Sequence, residues 1–179
     1  QIKLIIMENQ KSFTISVYTE NNIGLLNRVS SIFSKRHFNI ESLTTSQSEI
    51  ENVNRFVIVS TMTANQAEKI VKQLEKQIEV IKAYAHTDEE TIYQETALFK
   101  VASDSLFDER QIQNIIKDSH ANIVTVSREF FVIEKTGRRH ETEQLYQDLK
   151  PYKLMQFVRS GRISVTKEPM NISEMLAAF

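Results

Sequence analysis

Cysteine is absent from the 179-residue chain, which excludes disulfides, thiolate metal sites and cysteine nucleophiles together. A thiol-free chain fits an intracellular setting, and a cytoplasmic location is the expectation. Glycine is nearly as scarce. Gly24, Gly137 and Gly161 lie too far apart for a dinucleotide fingerprint or a P-loop, both of which need several glycines in one phosphate-binding turn. No apolar run approaches the roughly 20 residues that span a bilayer. The stretch Ile2-Lys3-Leu4-Ile5-Ile6-Met7 is too short for a secretory signal, and no cleavage region follows it. A dominant charge is missing as well: 22 Lys and Arg stand against 23 Asp and Glu, a formal net charge of -1. Neither nucleic acid nor a membrane is therefore an expected partner.

Catalytic constellations are equally thin. His37, His86, His120 and His140 lack the i, i+4 or tight-pair spacing of a metal site. The acidic run Asp88-Glu89-Glu90 lies in a polar stretch too hydrated to raise a carboxylate pKa for acid–base work. No serine sits in a nucleophile elbow. The chain does not read as an enzyme.

What is present is periodicity. Phe13-Thr14-Ile15-Ser16-Val17-Tyr18 alternates as a half-buried strand does, and Leu26, Val29, Ile32 and Phe33 then form a helical stripe. Strands follow at 39–45 and 52–61, joined by the polar hairpin Ser48 to Asn52. Thr63 and Gln66 have capping-box spacing ahead of a helix bearing Ala67, Ile70, Val71 and Leu74, and Val80 to Tyr84 closes the set as a strand. The pattern then repeats. Ala97 to Val101 is a strand; Ile112, Ile115 and Ile116 mark a helix with Ser105 or Asp108 as its cap. Asn122–Val126 and Glu129–Ile133 form a hairpin, and Leu145, Tyr146 and Leu149 a helix ended by Pro151. Final strand material at 155–158 and 163–165 is interrupted by Ser160-Gly161-Arg162. The expected fold is α+β, two tandem ferredoxin-like βαββαβ domains. They are placed at 11–86 and 95–167, with a linker at 87–94 and a tail at 168–179. Such a unit covers one sheet face with helices and leaves the other for a second copy, another subunit or a ligand.

The stretch Glu20-Asn21-Asn22-Ile23-Gly24-Leu25-Leu26-Asn27-Arg28-Val29 turns the first strand into the first helix. A helix start exposes N–H groups and the positive end of the helix dipole, which suits a small carboxylate. Asparagine can cap the helix or orient a bound amino acid, and Gly24 allows close approach to the backbone. An ordinary cap and turn has the same composition.

The wider context is more specific. Asn21-Asn22-Ile23-Gly24-Leu25-Leu26, followed by Phe33-Ser34-Lys35-Arg36-His37-Phe38-Asn39-Ile40-Glu41-Ser42-Leu43-Thr44, resembles the small regulatory subunit of acetolactate synthase. Ile70 to Leu74 with Gln77, and Val158-Arg159-Ser160-Gly161, are similar to further family positions, so the resemblance runs from about Ser12 to Lys167. It implies an N-terminal ACT domain that dimerises and binds a branched-chain amino acid, usually valine, between two copies. Asn21, Ile23, Gly24, Leu25 and Leu26 would form one wall of that site, and Asn39 and Ile40 of the other copy the second. The resemblance also implies a non-catalytic chain that activates a catalytic subunit and confers feedback inhibition. Thiamine diphosphate, magnesium and FAD would then belong to that partner, with no cofactor in this chain.

The second half has Ala102-Ser103-Asp104-Ser105 in place of the asparagine–glycine junction, so no second equivalent site is expected there. Its role is contact with the catalytic subunit, dimerisation or plain support. Arg159 and Arg162 are either exposed or available to a partner's carboxylates. Two other readings remain open: a freestanding ACT-type sensor with a different client protein, and an RNA-recognition module. The second lacks the paired strand aromatics and basic surface it would need, since Phe56 stands among aliphatic neighbours.

Overall fold

A computed structural model describes residues 10–104 and 110–177. These fall into two compact units. One takes in residues up to Tyr93 together with those from Arg162 onward, and the other comprises Gln94–Gly161.

In the first unit, β1 (Lys11–Glu20), α1 (Leu25–Lys35), β2 (Ser42–Gln47), β3 (Val53–Met62), α2 (Ala64–Leu74) and β4 (Val80–Thr87) follow in order. The strands form an antiparallel sheet in the order β2-β3-β1-β4. The central pair is in register along its whole length, from Lys11 opposite Met62 to Glu20 opposite Val53. Alternation in β1 sends Phe13, Ile15 and Val17 to the helix side, where they pack in one core with Leu25, Val29, Ile32 and Phe33 of α1 and Ala67, Ile70 and Leu74 of α2. Phe56 faces this core too and is buried, so it offers no ring to a base. The second strand, expected over 39–45, begins at Ser42. Asn39 to Glu41 approach β3 through single bonds, Ser60 Oγ to the Asn39 carbonyl and Glu41 N to the Val59 carbonyl, before the ladder proper starts at Ser42.

The capping box of α2 is formed as expected. Gln66 N donates to Thr63 Oγ1 at 3.4 Å, and Thr63 N to Gln66 Oε1 at 2.8 Å. Thr63→Ala should cost about 1 kcal/mol, the usual value of such a cap. Urea unfolding checks this: the midpoint falls with an unchanged slope, and an unmoved midpoint would remove the cap from the stability of this helix.

The second unit repeats the plan with β5 (Thr91–Ala102), α3 (Arg110–Asp118), β6 (Asn122–Val126), β7 (Phe130–Gly137), α4 (Arg139–Leu149) and β8 (Leu154–Arg159). Its strand order is β6-β7-β5-β8, equivalent to that of the first sheet. Phe99, Phe131, Ile133, Ile112, Leu145 and Leu149 form the core. Phe157 lies against Phe99 and Tyr146, with ring centres 5.0 and 4.6 Å apart. Arg138 N donates to the Glu141 carboxylate at the start of α4, and that bond holds the Glu141 carboxyl below its ordinary pKa. Ser105 and Asp108, the expected caps of α3, lie outside the described residues.

Two features differ from the sequence reading. Residues 87–94 do not form a separate linker: β4 runs to Thr87, a turn follows, and β5 begins at Thr91. Glu90 closes that turn by accepting from Thr87 N and Oγ1, which lowers its carboxyl pKa. The last strand, β9 (Ile163–Thr166), and the short helix α5 (Ile172–Leu176) group with the first unit. β9 pairs with β5, and Lys167 N donates to the Glu90 carbonyl. The far face of the first sheet is accordingly covered by the chain itself. Thr14, Ser16 and Tyr18 of β1 are buried there, and Tyr18 shares a small cluster with Val53 and Leu176.

Candidate functional site

The strand-to-helix junction is braced from below. Asn21 N donates to the Asn52 carbonyl at 3.0 Å, and Asn21 Oδ1 accepts from Asn54 Nδ2 at 3.0 Å. Asn22 turns back on the strand end, its amide donating to Glu20 Oε2 at 2.9 Å. Arg28 pairs with Glu79, whose carbonyl accepts from Glu20 N. Neither asparagine caps the helix. The cap position belongs to Gly24, at φ 85° and ψ 0°, a left-handed conformation that glycine adopts without penalty.

The start of α1 therefore has no side-chain acceptor and no acidic residue in its first turn. The N–H groups of Leu25, Leu26 and Asn27 have no intrahelical partner by construction, and the positive end of the dipole is left uncompensated. A Cβ placed on Gly24 would meet no atom within 4 Å, so the space before these donors is open. Leu25 points into the core, whereas Ile23 is fully exposed and Leu26 is 47% exposed. Bare donors flanked by apolar side chains form an amphiphilic surface that suits an anion with a hydrocarbon tail.

Asn39 and Ile40 follow the opposite end of α1. Its 11 residues rise about 16 Å at roughly 1.5 Å each, so one chain does not bring them to Gly24. The Asn39 side chain is exposed while its carbonyl accepts from Ser60, and Ile40 packs partly on the first core.

Both arginines read as available to a partner are engaged within the chain. Arg159 pairs with Glu143 at 2.9 Å and with Glu95 at 3.3 Å, although its Nε lacks a well-directed hydrogen bond. Arg162 donates to Asp88 Oδ1 at 2.6 Å and Thr14 Oγ1 at 2.8 Å, and its guanidinium lies 3.8 Å from the centre of the Tyr93 ring. Asn54 as a support of the junction, and Arg162 as a framework residue rather than a partner contact, were not visible in the sequence, because their partners Asn21 and Asp88 lie 33 and 74 positions away. Among the described residues no group of His, Asp and Glu could hold a metal ion, and no helix is long and apolar enough to cross a membrane.

Residues 15–82 match the family model described as AHAS small subunit-like ACT domain, and residues 94–168 that described as small subunit of acetolactate synthase. The acetolactate synthase small subunit of Mycobacterium bovis is 36% identical over 162 residues, spanning 90% of this chain and 96% of that protein. The chain belongs to the acetolactate synthase small-subunit family. The small subunit of Bacillus subtilis is 37% identical over 148 residues, 82% of this chain and 86% of its own. The crystal structure of the acetolactate synthase small subunit from Thermotoga maritima superposes with a TM-score of 0.80 at 29% identity, covering 89% of this chain and 99% of that one. In this small-subunit chain the junction at Gly24 lies inside the ACT match, and the C-terminal match extends past the second unit into β9. Membership of a small-subunit family built on an ACT domain supports a regulatory role rather than a catalytic one.

Proposed function

We propose that the chain is the regulatory subunit of an acetolactate synthase. It binds the catalytic subunit, raises its activity, and lowers that activity again when valine or another branched-chain amino acid occupies the junction of two paired ACT units. The observation that carries this reading is the uncapped start of α1 at Gly24, beside exposed Ile23 and Leu26. The effector carboxylate sits on the N–H groups of Leu25, Leu26 and Asn27. Its ammonium group uses the second lone pair of Asn21 Oδ1 and the Asn39 amide of a second copy. The hydrocarbon tail is enclosed by Ile23, Leu26 and the second copy's Ile40. Because Asn39 and Ile40 follow the far end of α1, a complete site needs two chains, which makes the homodimer the binding unit.

The thiamine diphosphate, magnesium and flavin of the reaction belong, on this reading, to the catalytic partner. Regulation follows if two arrangements of the ACT pair bind the effector unequally, since a ligand shifts an equilibrium only by its differential affinity. Reconstitution of the full chain with the cognate catalytic subunit tests this. Acetolactate formation should rise on adding the chain and fall on adding valine, leucine or isoleucine. A rate indifferent to both additions would refute the proposal and favour a sensor serving another client protein.

A further inference from the structure

Beneath its C-terminal segment the first unit has a half-open cavity of about 500 Å³, within the roughly 300–1,000 Å³ range of small-molecule sites. It shares no lining residue with the junction. Its floor is the far face of the sheet, where Ser16 and Tyr18 of β1, Arg55 of β3, and Tyr84 and His86 of β4 alternate with core residues. Its roof is β9 and the segment up to Ile172.

The floor holds a cation without a counter-ion. Arg55 Nη2 donates to Ser16 Oγ at 3.0 Å and to the Ser164 carbonyl at 2.7 Å, and the guanidinium stands 5.7 Å from the Tyr18 ring centre. Its Nε is buried with no hydrogen-bond partner. Among the described residues no carboxylate comes within ion-pairing distance of it. A partly desolvated guanidinium without a counter-charge is unfavourable until an anion joins it, and Nη1 rather than the occluded Nε is the nitrogen left to receive one. The neighbours at that depth are neutral donors. Burial raises the phenol pKa of Tyr18 and of Tyr84, against the opposing pull of Arg55 and Lys82 respectively, so both rings keep their hydroxyl protons.

Among the described residues, negative charge in the lining comes from Glu49 and Glu168, which are both exposed and therefore stand at the mouth. Neither forms an ion pair among the described residues. The wall thus runs from a half-buried cation at the floor to two anions at the rim. We propose that this cavity is a second ligand site that takes a small zwitterion, its carboxylate on Arg55 and its ammonium group between Glu49 and Glu168. With Nη2 engaged by Ser16 and Ser164, the carboxylate meets Arg55 through Nη1 as a single charge-assisted hydrogen bond, and the two rim carboxylates disfavour phosphates and dicarboxylates by like-charge repulsion. Because the roof is the chain's own C-terminal segment, occupancy holds that segment on the sheet by mass action.

The test uses the full chain carrying Gly24→Asp, so that the junction does not contribute, and follows the Arg55 Nε–H and Ser164 amide resonances by NMR. Each common L-amino acid is titrated in turn, then the deaminated and decarboxylated analogues of the best binder. At least one amino acid should shift both resonances to saturation, with either analogue at least about tenfold weaker, the scale of one charge-assisted contact. Arg55→Gln should cost a similar factor. Glu168→Gln, which keeps the backbone bonds of an exposed residue whose carboxylate forms no ion pair among the described residues, should weaken binding severalfold even if the Arg55 variant loosens the roof. Unmoved resonances with every amino acid, an analogue lacking its ammonium group that binds equally well, or an unchanged affinity in the Glu49→Gln, Glu168→Gln double variant would each overturn the proposal.

Discussion

On the proposed effector site, aspartate in place of Gly24 should abolish binding of branched-chain amino acids, while asparagine at the same position should retain much of it. The pair separates charge from shape. Both side chains meet open space, since a Cβ at Gly24 has no neighbour within 4 Å. Both carry a similar penalty for φ 85°, of order 1 kcal/mol, and both belong to the residues that tolerate this region best. Only aspartate places a carboxylate where the proposed site seats the effector's own carboxylate. Two such charges about 4 Å apart repel by about 4 kcal/mol at an effective dielectric constant near 20. Solvent exposure of the junction reduces that, leaving an expected loss of at least about 100-fold. Calorimetric titration of the three chains with valine, leucine and isoleucine gives the answer. Equal affinities for the aspartate and asparagine variants would remove the junction from the effector site.

The second large effect belongs to Arg162. Its side chain is only 13% exposed and ties three parts of the first unit together: Thr14 in the sheet, Asp88 in the turn after β4, and Tyr93 at the start of β5. Its backbone adds Arg162 N to Ser42 Oγ and Thr44 Oγ1 to the Arg162 carbonyl. Arg162→Ala keeps the backbone bonds and strands the rest. Thr14, 1% exposed, loses the Arg162 donor, and Asp88 loses its counter-charge. Breaking a fully buried pair costs about 3–5 kcal/mol. Asp88 is 39% exposed, which brings the expectation to about 2–3 kcal/mol. Arg162→Lys should recover little, because an ammonium neither stacks flat on Tyr93 nor forks between two acceptors. Denaturant unfolding reads the stability, and hydrogen exchange over 163–176 should report early release of the C-terminal segment. A loss under about 0.5 kcal/mol, the range of an ordinary surface substitution, would contradict this account.

The sequence made the architecture legible because period-2 and period-3.6 patterns are local. Phe13, Ile15 and Val17 announce a face, and Val29, Ile32 and Phe33 announce the helix that covers it; the periodicity starts that stripe at Leu26, but Leu25 is the buried residue there and Leu26 is half exposed. The opposite face was legible only in part. Thr14, Ser16 and Tyr18 are what a solvated sheet surface looks like, and also what a polar roof requires; alternation does not distinguish the two. Arg162 meets Asp88 across 74 positions of chain, and nothing near either residue signals the pairing. At the junction the residue types pointed to a helix start, but asparagine's preference for caps drew attention from the glycine that occupies the position. The left-handed backbone there, not side-chain chemistry, decides that the helix begins bare.

The return of the chain to the first unit at Arg162 makes that unit discontinuous in sequence. The 68-residue span Gln94–Gly161 is, topologically, an insert spliced between the start of β5 and the strand that roofs the first sheet. Neither unit is freed by a single cut. Ending the chain after β4 would leave Thr14, Ser16 and Tyr18 without their cover, and a lesion near the C-terminus is felt first by the N-terminal fold. The insert, for its part, is fastened at both ends to the same body, so a strain applied to it acts on β5 and β9 together.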